Sequence, residues 1–169
     1  MNISGDDEQL LAALTRGDHV AAAQLLVQEH APTIGRTCMA LLGSQGEAEA
    51  ALQETLLAAL VGSLPGDGSL RARLLGVARQ CCVARLEARS RERTAEACAA
   101  DEPLSAAQRA RRRLAEIRPS EREALVLRFT AGLGFRELGQ ALGIDATAAQ
   151  KRAARGLSRL RNLEVEKEP

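Results

Sequence analysis

Three helical segments, punctuated by proline and glycine between residues 119 and 162, constrain this chain more than any other feature. Pro119-Ser120-Glu121-Arg122-Glu123 opens the first, where Ser120 is expected as the N-cap and Glu123, three residues on, is expected to reach back to the cap's backbone amide. Leu125, Val126, Leu127 and Phe129 continue as an apolar run toward Gly132. The second segment is short, with Phe135, Leu138, Ala141 and Leu142 at helical spacing, and it stops at Gly143, a residue type that enters the left-handed region without a Cβ clash. Asp145 is placed to cap the third, which carries Gln150, Lys151, Arg152, Arg155, Arg159 and Arg161. Two short helices, a Gly turn and a basic third helix make a helix-turn-helix, whose last helix lies in the major groove of duplex DNA. A basic amphipathic helix alone is more often a solvated face. Here the capping box, the Gly143-Ile144-Asp145 turn and three guanidiniums at helical spacing (Arg152, Arg155, Arg159) coincide, while Leu157 and Leu160 lie on another face to pack inward.

The apolar residues elsewhere are almost all Ala and Leu; Trp and Tyr are absent, and Phe129 and Phe135 are the two Phe. Ala and Leu favour helix, and β-branched and aromatic strand formers are scarce, so the fold class is all-α. A chain of 169 residues with 46% hydrophobic content suits one domain or two small ones with a real core. Aromatic stacking on a ligand is excluded for the first 128 residues.

A net charge of +1 hides a strong asymmetry. Residues 1–70 hold nine acids against two Arg, whereas residues 71–113 hold eleven Arg against five acids. Such polarity suits a molecule that binds both a protein and nucleic acid. The basic residues are Arg except Lys151 and Lys167, and Arg is the better bidentate partner of phosphate and guanine. Cys38, Cys81, Cys82 and Cys98 show no C-x-x-C spacing and no adjacent His, so no metal site is expected. Cys81 and Cys82 are neighbours on one helix and cannot both face a core; inert thiols are the expectation, with a redox role left open. His19 and His30 have no nucleophile nearby, so no catalytic constellation forms, and neither an enzyme nor a cofactor is expected. The acidic N-terminus carries no signal-peptide pattern, and no apolar run approaches the roughly 20 residues that span a bilayer, so a cytoplasmic protein without membrane insertion is expected.

Along the chain, residues 7–30 read as a helical pair broken at Gly17-Asp18, with Asp18 as a cap, and Pro32 reads as the start of the next helix, ending at Gly43. Residues 47–61 form another, with Leu52, Leu56, Leu57 and Leu60 expected inward, before a Pro/Gly loop at 64–69. A long helix from about Leu70 to Arg93 carries Leu74, Leu75, Ala78, Cys82 and Leu86 on its apolar side and a basic stripe of Arg85, Arg89 and Arg93. The expected organisation is a helical domain at 1–93, a linker at 94–113 and the helix-turn-helix domain at 114–169.

This order of parts resembles an extracytoplasmic-function sigma factor of the sigma-70 family, over roughly residues 8–162. Leu10-Leu11 with Gly17-Asp18, Leu41-Leu42-Gly43, the 49–55 run from Glu49 to Thr55, and Val77-Ala78-Arg79 resemble sigma region two. The 122–129 run from Arg122 to Phe129 and the 137–144 run from Glu137 to Ile144 resemble region four. The chain departs from the family's pattern at Ala50, where an acid is common, near Leu70 and Arg73, where aromatics are common, and at Gly134, where a Ser-type cap is usual.

The resemblance implies a factor that directs RNA polymerase core to promoters. Gln53 and Glu54 would dock on the polymerase; the 62–69 loop with Arg71, Arg79, Arg85 and Arg89 would engage the minus-ten element; and Thr147, Gln150, Lys151, Arg152, Arg155 and Arg159 would read the minus-thirty-five element. The implied partners are RNA polymerase core, promoter DNA and an anti-sigma factor. Capture of unpaired bases gains about 1–3 kcal/mol per stacked base from aromatics, which this region two lacks. The alternatives are a degenerate sigma-like regulator that does not melt promoters, and a protein-interaction module with a structural helix-turn-helix.

Overall fold

The computed structural model describes residues 5–62, 64, 68–93 and 105–165, and every regular element among them is helical. In chain order these are α1 (Gly5–Thr15), α2 (His19–Leu25), α3 (Ala31–Leu42), α4 (Gln45–Leu60), α5 (Leu70–Arg93), α6 (Ala106–Glu116), α7 (Pro119–Phe129), α8 (Phe135–Leu142) and α9 (Ala146–Val165). Helices α3, α4 and α5 pack on one another to form the first lobe, and α7, α8 and α9 form the second. Leu10, Leu26, Ile34, Leu74 and Leu75 fill the first; Leu127, Leu133 and Leu138 fill the second, and each of these is essentially inaccessible to solvent. A fully buried Leu or Ile contributes roughly 1.5–3 kcal/mol from apolar burial, so these eight side chains alone are a large part of the driving force.

Several caps stand where the sequence places them. Asp18 accepts from the Ala21 amide at 3.1 Å and starts α2. Gly43 ends α3 with φ 73°, whereas α4 begins at Gln45, two residues earlier than expected, with Ser44 as a cap that the sequence did not single out. Asp145 accepts from the Ala148 amide at 2.8 Å and starts α9.

Other local expectations are corrected. Pro32 stands in the first turn of α3 as expected, but no break precedes that helix: residues Leu26–His30 form one π-helical turn that joins α2 to α3. Proline lacks the amide for an i to i−4 bond and its ring crowds the preceding turn. The wider turn, in which the Ala31 amide bonds to the Leu26 carbonyl, carries the chain past it. Ser120 does not cap α7; Pro119 occupies the first turn and Arg118 is the cap residue, with no side-chain hydrogen bond. Leu57 is 60% exposed rather than inward. The face of α4 that packs is made of Ala48, Ala51, Thr55 and Ala59, small residues that bring the helix close to its neighbours. Thr55 donates to the Ala51 carbonyl at 2.7 Å, so its buried hydroxyl is satisfied within the helix. Within the stretch read as a linker, Ser105 and Gln108 form a reciprocal capping box that starts α6; residues 94–104 lie outside the described residues.

The lobes are sealed to each other along α5 and α8, with α3 against α7. Gly76, mid-helix in α5, faces the α8 main chain so closely that a Cβ there would stand 3.3 Å from the Ala141 carbonyl oxygen. Glycine within a helix costs about 1 kcal/mol relative to Ala. Here it permits helix-to-backbone contact. Ser69 donates to Glu137 at 2.8 Å, Arg71 donates to the Ala131 carbonyl, and Arg79 pairs with Glu123 at 2.9 Å. Buried apolar residues of both lobes form one continuous cluster.

Candidate nucleic-acid interface

The helix-turn-helix is assembled from α7, α8 and α9. Between α7 and α8, Arg128 donates to the Leu133 carbonyl at 2.7 Å and lies 4.9 Å from the Phe135 ring centroid, so one side chain fixes the loop. Glu137 receives the Gly134 amide at 3.3 Å, which compensates for the missing Ser-type cap side chain. Gly143 ends α8 with φ 68°, and the Ile144 amide bonds to the Gly139 carbonyl at 2.9 Å. Gly139 is buried against this turn: a Cβ there would lie 2.6 Å from the Ile144 carbonyl oxygen. The turn therefore has one geometry, and it sets the direction in which α9 leaves.

On α9, Ala149, Ala153 and Gly156 face inward with half-buried Leu160, whereas Leu157 is 39% exposed rather than packed. The opposite side presents Thr147, Gln150 and Lys151, all exposed, with half-buried Arg152 beside them. Arg155 and Arg159 differ from these. Both face Glu121, a carboxylate from the first turn of α7 that is 2% exposed. The Arg159 terminal nitrogen sits 2.5 Å from Glu121 Oε2, and the Arg155 Nε lies 3.8 Å from Oε1. The Arg155 side chain nevertheless remains 62% exposed, against 36% for Arg159. The expected row of three equivalent guanidiniums is thus resolved into three different environments.

The first-lobe residues expected at the minus-ten element all have intramolecular partners. Arg71 and Arg79 are in the seam, on the Ala131 carbonyl and on Glu123. Arg85 makes a two-pronged contact with Glu54 at 2.7 and 2.9 Å, and Arg89 pairs with Glu47 at 2.9 Å while donating to the Leu42 carbonyl at 3.2 Å. The hydrogen bonds from Arg85 hold the Glu54 carboxyl below its ordinary pKa, and the reciprocal bond raises that of Arg85. Gln53 is exposed, as is Glu54, and Leu57 and Val61 extend the same open side of α4 at 60% and 72% exposure. The Arg93 side chain of the expected stripe lies outside the described residues.

Cys82 is buried and Cys81 half-buried, as adjacency on one helix requires. Cys38 of α3 meets Cys82 across the core: the hydrogen bond between them lowers the Cys38 pKa and raises that of Cys82, which burial raises further. Cys81 is raised by burial and by Glu54. Cys98 lies outside the described residues. Among the described residues, no group of three or more His, Cys, Asp or Glu side chains could hold a metal ion, and no helix is long and apolar enough to cross a membrane.

Sequence reasoning missed Glu121 as a ligand of α9 and gave Glu123 a capping role it does not have. Each is an acid in the first turns of an amphipathic helix, where a solvated position is the ordinary reading; only the packing of α9 onto α7 and the reach of Arg79 from α5 give them buried partners.

Residues 107–160 match the family model described as Sigma-70, region 4. Among solved structures, the chain is similar to CnrH in complex with the cytosolic domain of CnrY, at 20% identity, covering 96% of this chain and 99% of that one with a TM-score of 0.74. It is also similar to the sigma factor RpoE in complex with the anti-sigma factor NepR from Bartonella quintana, at 20% identity, 86% and 98% coverage and a TM-score of 0.67. At these identities the likeness shows the all-α two-lobe fold. No curated protein sequence matches the chain.

Proposed function

Taking residues 107–160 as a sigma-70 region 4 module on a fold shared with solved sigma factors, we propose that the chain is an extracytoplasmic-function sigma factor that directs RNA polymerase core to promoters in the cytoplasm. The observation that carries this reading is α9. It is held by an unstrained Gly143 exit and an Asp145 cap, it packs Ala149, Ala153, Gly156 and half-buried Leu160 inward, and it turns Thr147, Gln150 and Lys151 outward. A helix so mounted enters a major groove by its N-terminal half, where amide and ammonium side chains reach base edges and phosphates. We assign this surface to the minus-thirty-five element.

The open side of α4, with Gln53, Glu54, Leu57 and Val61, is the surface assigned to the polymerase. Exposed aliphatics beside polar groups are the composition of a docking patch rather than of a solvated helix. The 62–69 loop and the N-terminal half of α5 are assigned to the minus-ten element. In the closed chain Arg71 and Arg79 are occupied by the second lobe, so this assignment requires the seam to open on the polymerase. Arg85 and Arg89 would reach phosphates by exchanging Glu54 and Glu47 for them. An anti-sigma factor is the expected regulatory partner, as CnrY is bound to CnrH and NepR to RpoE in the similar structures.

One observation favours a second reading, a sigma-like regulator that binds without melting. Phe129 and Phe135 both belong to the second lobe, so the first lobe has no aromatic on which an unpaired base could stack. Run-off transcription with core polymerase and a genomic fragment library separates the two. Defined transcripts with permanganate-reactive thymines support initiation. Polymerase binding with no reactive thymines supports the second reading, and no association with polymerase or DNA removes both.

A further inference from the structure

Glu121 is the most unusual charged group in the second lobe. It is buried to 2% exposure beneath α9, and it is shared by two cations one helical turn apart on that helix. Room for it is made by Gly156, which lies between them: a Cβ at that position would meet Leu125 at 3.0 Å and the Glu121 Cβ at 3.3 Å. The absence of a side chain at 156 thus lets the carboxylate sit directly under the helix, with one oxygen toward each arginine.

The two arginines use the carboxylate differently. Arg159 gives it a terminal nitrogen at 2.5 Å, which occupies the end of the guanidinium that a nucleic acid would use. Arg155 turns its Nε side to it at 3.8 Å, an ion pair longer than a hydrogen bond, and its side chain stays 62% exposed. A guanidinium held from the Nε side keeps both terminal nitrogens outward. Those two donors form the fork that matches the O6 and N7 acceptors of guanine in a major groove. Lys151 and Arg161 are exposed without such a restraint among the described residues.

We propose that Glu121 is a positioning residue for Arg155, aiming it at a guanine edge, while Arg159 is the anchor that keeps the shared carboxylate in place. The proposal rests on α9 being the DNA-reading helix. Restraining one long side chain before binding removes an ordering cost equivalent to about three- to tenfold in affinity, and this gain applies only where the restrained geometry is used. The signature is therefore selectivity for guanine, beyond general attraction to DNA.

The test uses the full chain and a random-sequence duplex library. The wild-type chain is expected to enrich a motif containing at least one guanine at which replacement by 7-deazaguanine, which lacks the N7 acceptor, weakens binding. Glu121→Gln keeps the shape and loses the charge; it is expected to reduce the ratio of affinities for guanine and 7-deazaguanine duplexes about three- to tenfold. Arg155→Lys, which leaves the Glu121–Arg159 pair intact and so guards against a misfolded Gln variant, is expected to abolish that ratio. The double variant should lose no more than Arg155→Lys alone, since both act on one contact. If Glu121→Gln lowers the melting temperature but leaves the ratio as in wild type, Glu121 is structural and the proposal falls. An unchanged ratio in Arg155→Lys overturns it equally. Failure of the wild-type chain to enrich any sequence would sink the DNA-reading assignment itself, a distinct result.

Discussion

The Arg79 guanidinium of α5 meets the Glu123 carboxylate of α7 at 2.9 Å, and both side chains are largely buried, so this ion pair joins Ser69–Glu137 and Arg71–Ala131 in tying the two lobes. Removing one partner would leave the other charge desolvated without compensation, which costs more than the pair itself contributes. Glu123→Gln is expected to destabilise the closed chain by about 1–3 kcal/mol and to widen it. Chemical denaturation reads the first effect and small-angle scattering the second. An unchanged radius of gyration together with an unchanged unfolding midpoint would show that the seam does not depend on this pair.

The turn between α8 and α9 makes a sharper demand. Gly139 has no space for a Cβ, because the Ile144 carbonyl oxygen would lie 2.6 Å away and the Ala146 amide nitrogen 3.2 Å away. Both obstacles are backbone and cannot rotate aside. Gly139→Ala is expected to lose about 1–3 kcal/mol through overpacking, despite Ala's better helix propensity, and to weaken DNA binding by misdirecting α9. Thermal unfolding beside a gel-shift titration checks both; a stabilised variant would contradict the geometry.

Acid should loosen α4 from α5. The Glu54 carboxyl is held below its ordinary value near 4.5 by Arg85, so the pair's contribution is complete above that pH. It is lost as the pH falls through the depressed folded value. Glu54 is half exposed, so solvent and salt screen the pair and its worth is at most about 1 kcal/mol. Denaturation midpoints of wild type and Glu54→Gln should therefore converge as the pH drops below about 4.5 and differ at neutral pH. A gap that is constant with pH would assign the effect to packing instead.

Lys151 projects from the exposed side of α9. If it neutralises one phosphate, Lys151→Ala should reduce the slope of log K against log salt by about 0.9 and weaken all duplex sequences to a similar degree. Binding measured between 50 and 200 mM salt, roughly the range over which such slopes are resolved, decides this. An unaltered slope would place the lysine outside the contact.

Much of the second lobe was legible in the chain itself, because its signals are local. Gly143 and Asp145 act within a few residues of where they stand, and the structure finds both in the expected roles. The all-helical class follows equally from composition summed over the whole length. What could not be read was the fate of charge. The Arg85–Arg89 stripe looked like a free basic face, yet its partners Glu54 and Glu47 lie 31 and 42 residues away and meet it only once α4 packs on α5. Pro32 marks the start of α3 as its residue type suggests, but the π-turn that joins α3 to α2 without a break has no signature in the residues. The small-residue face of α4 was hidden because Leu carries the hydrophobic pattern while Ala carries the contact.

The atoms nearest a Cβ at position 76 belong to the Ala141 main chain of α8, a wall that substitution cannot remove. Residue size at position 76 is then a one-sided adjustment of how closely α5 can approach α8. Alanine, serine and valine in its place form a graded series of rising pressure on the α5–α8 contact, obtained without changing a charge in either lobe.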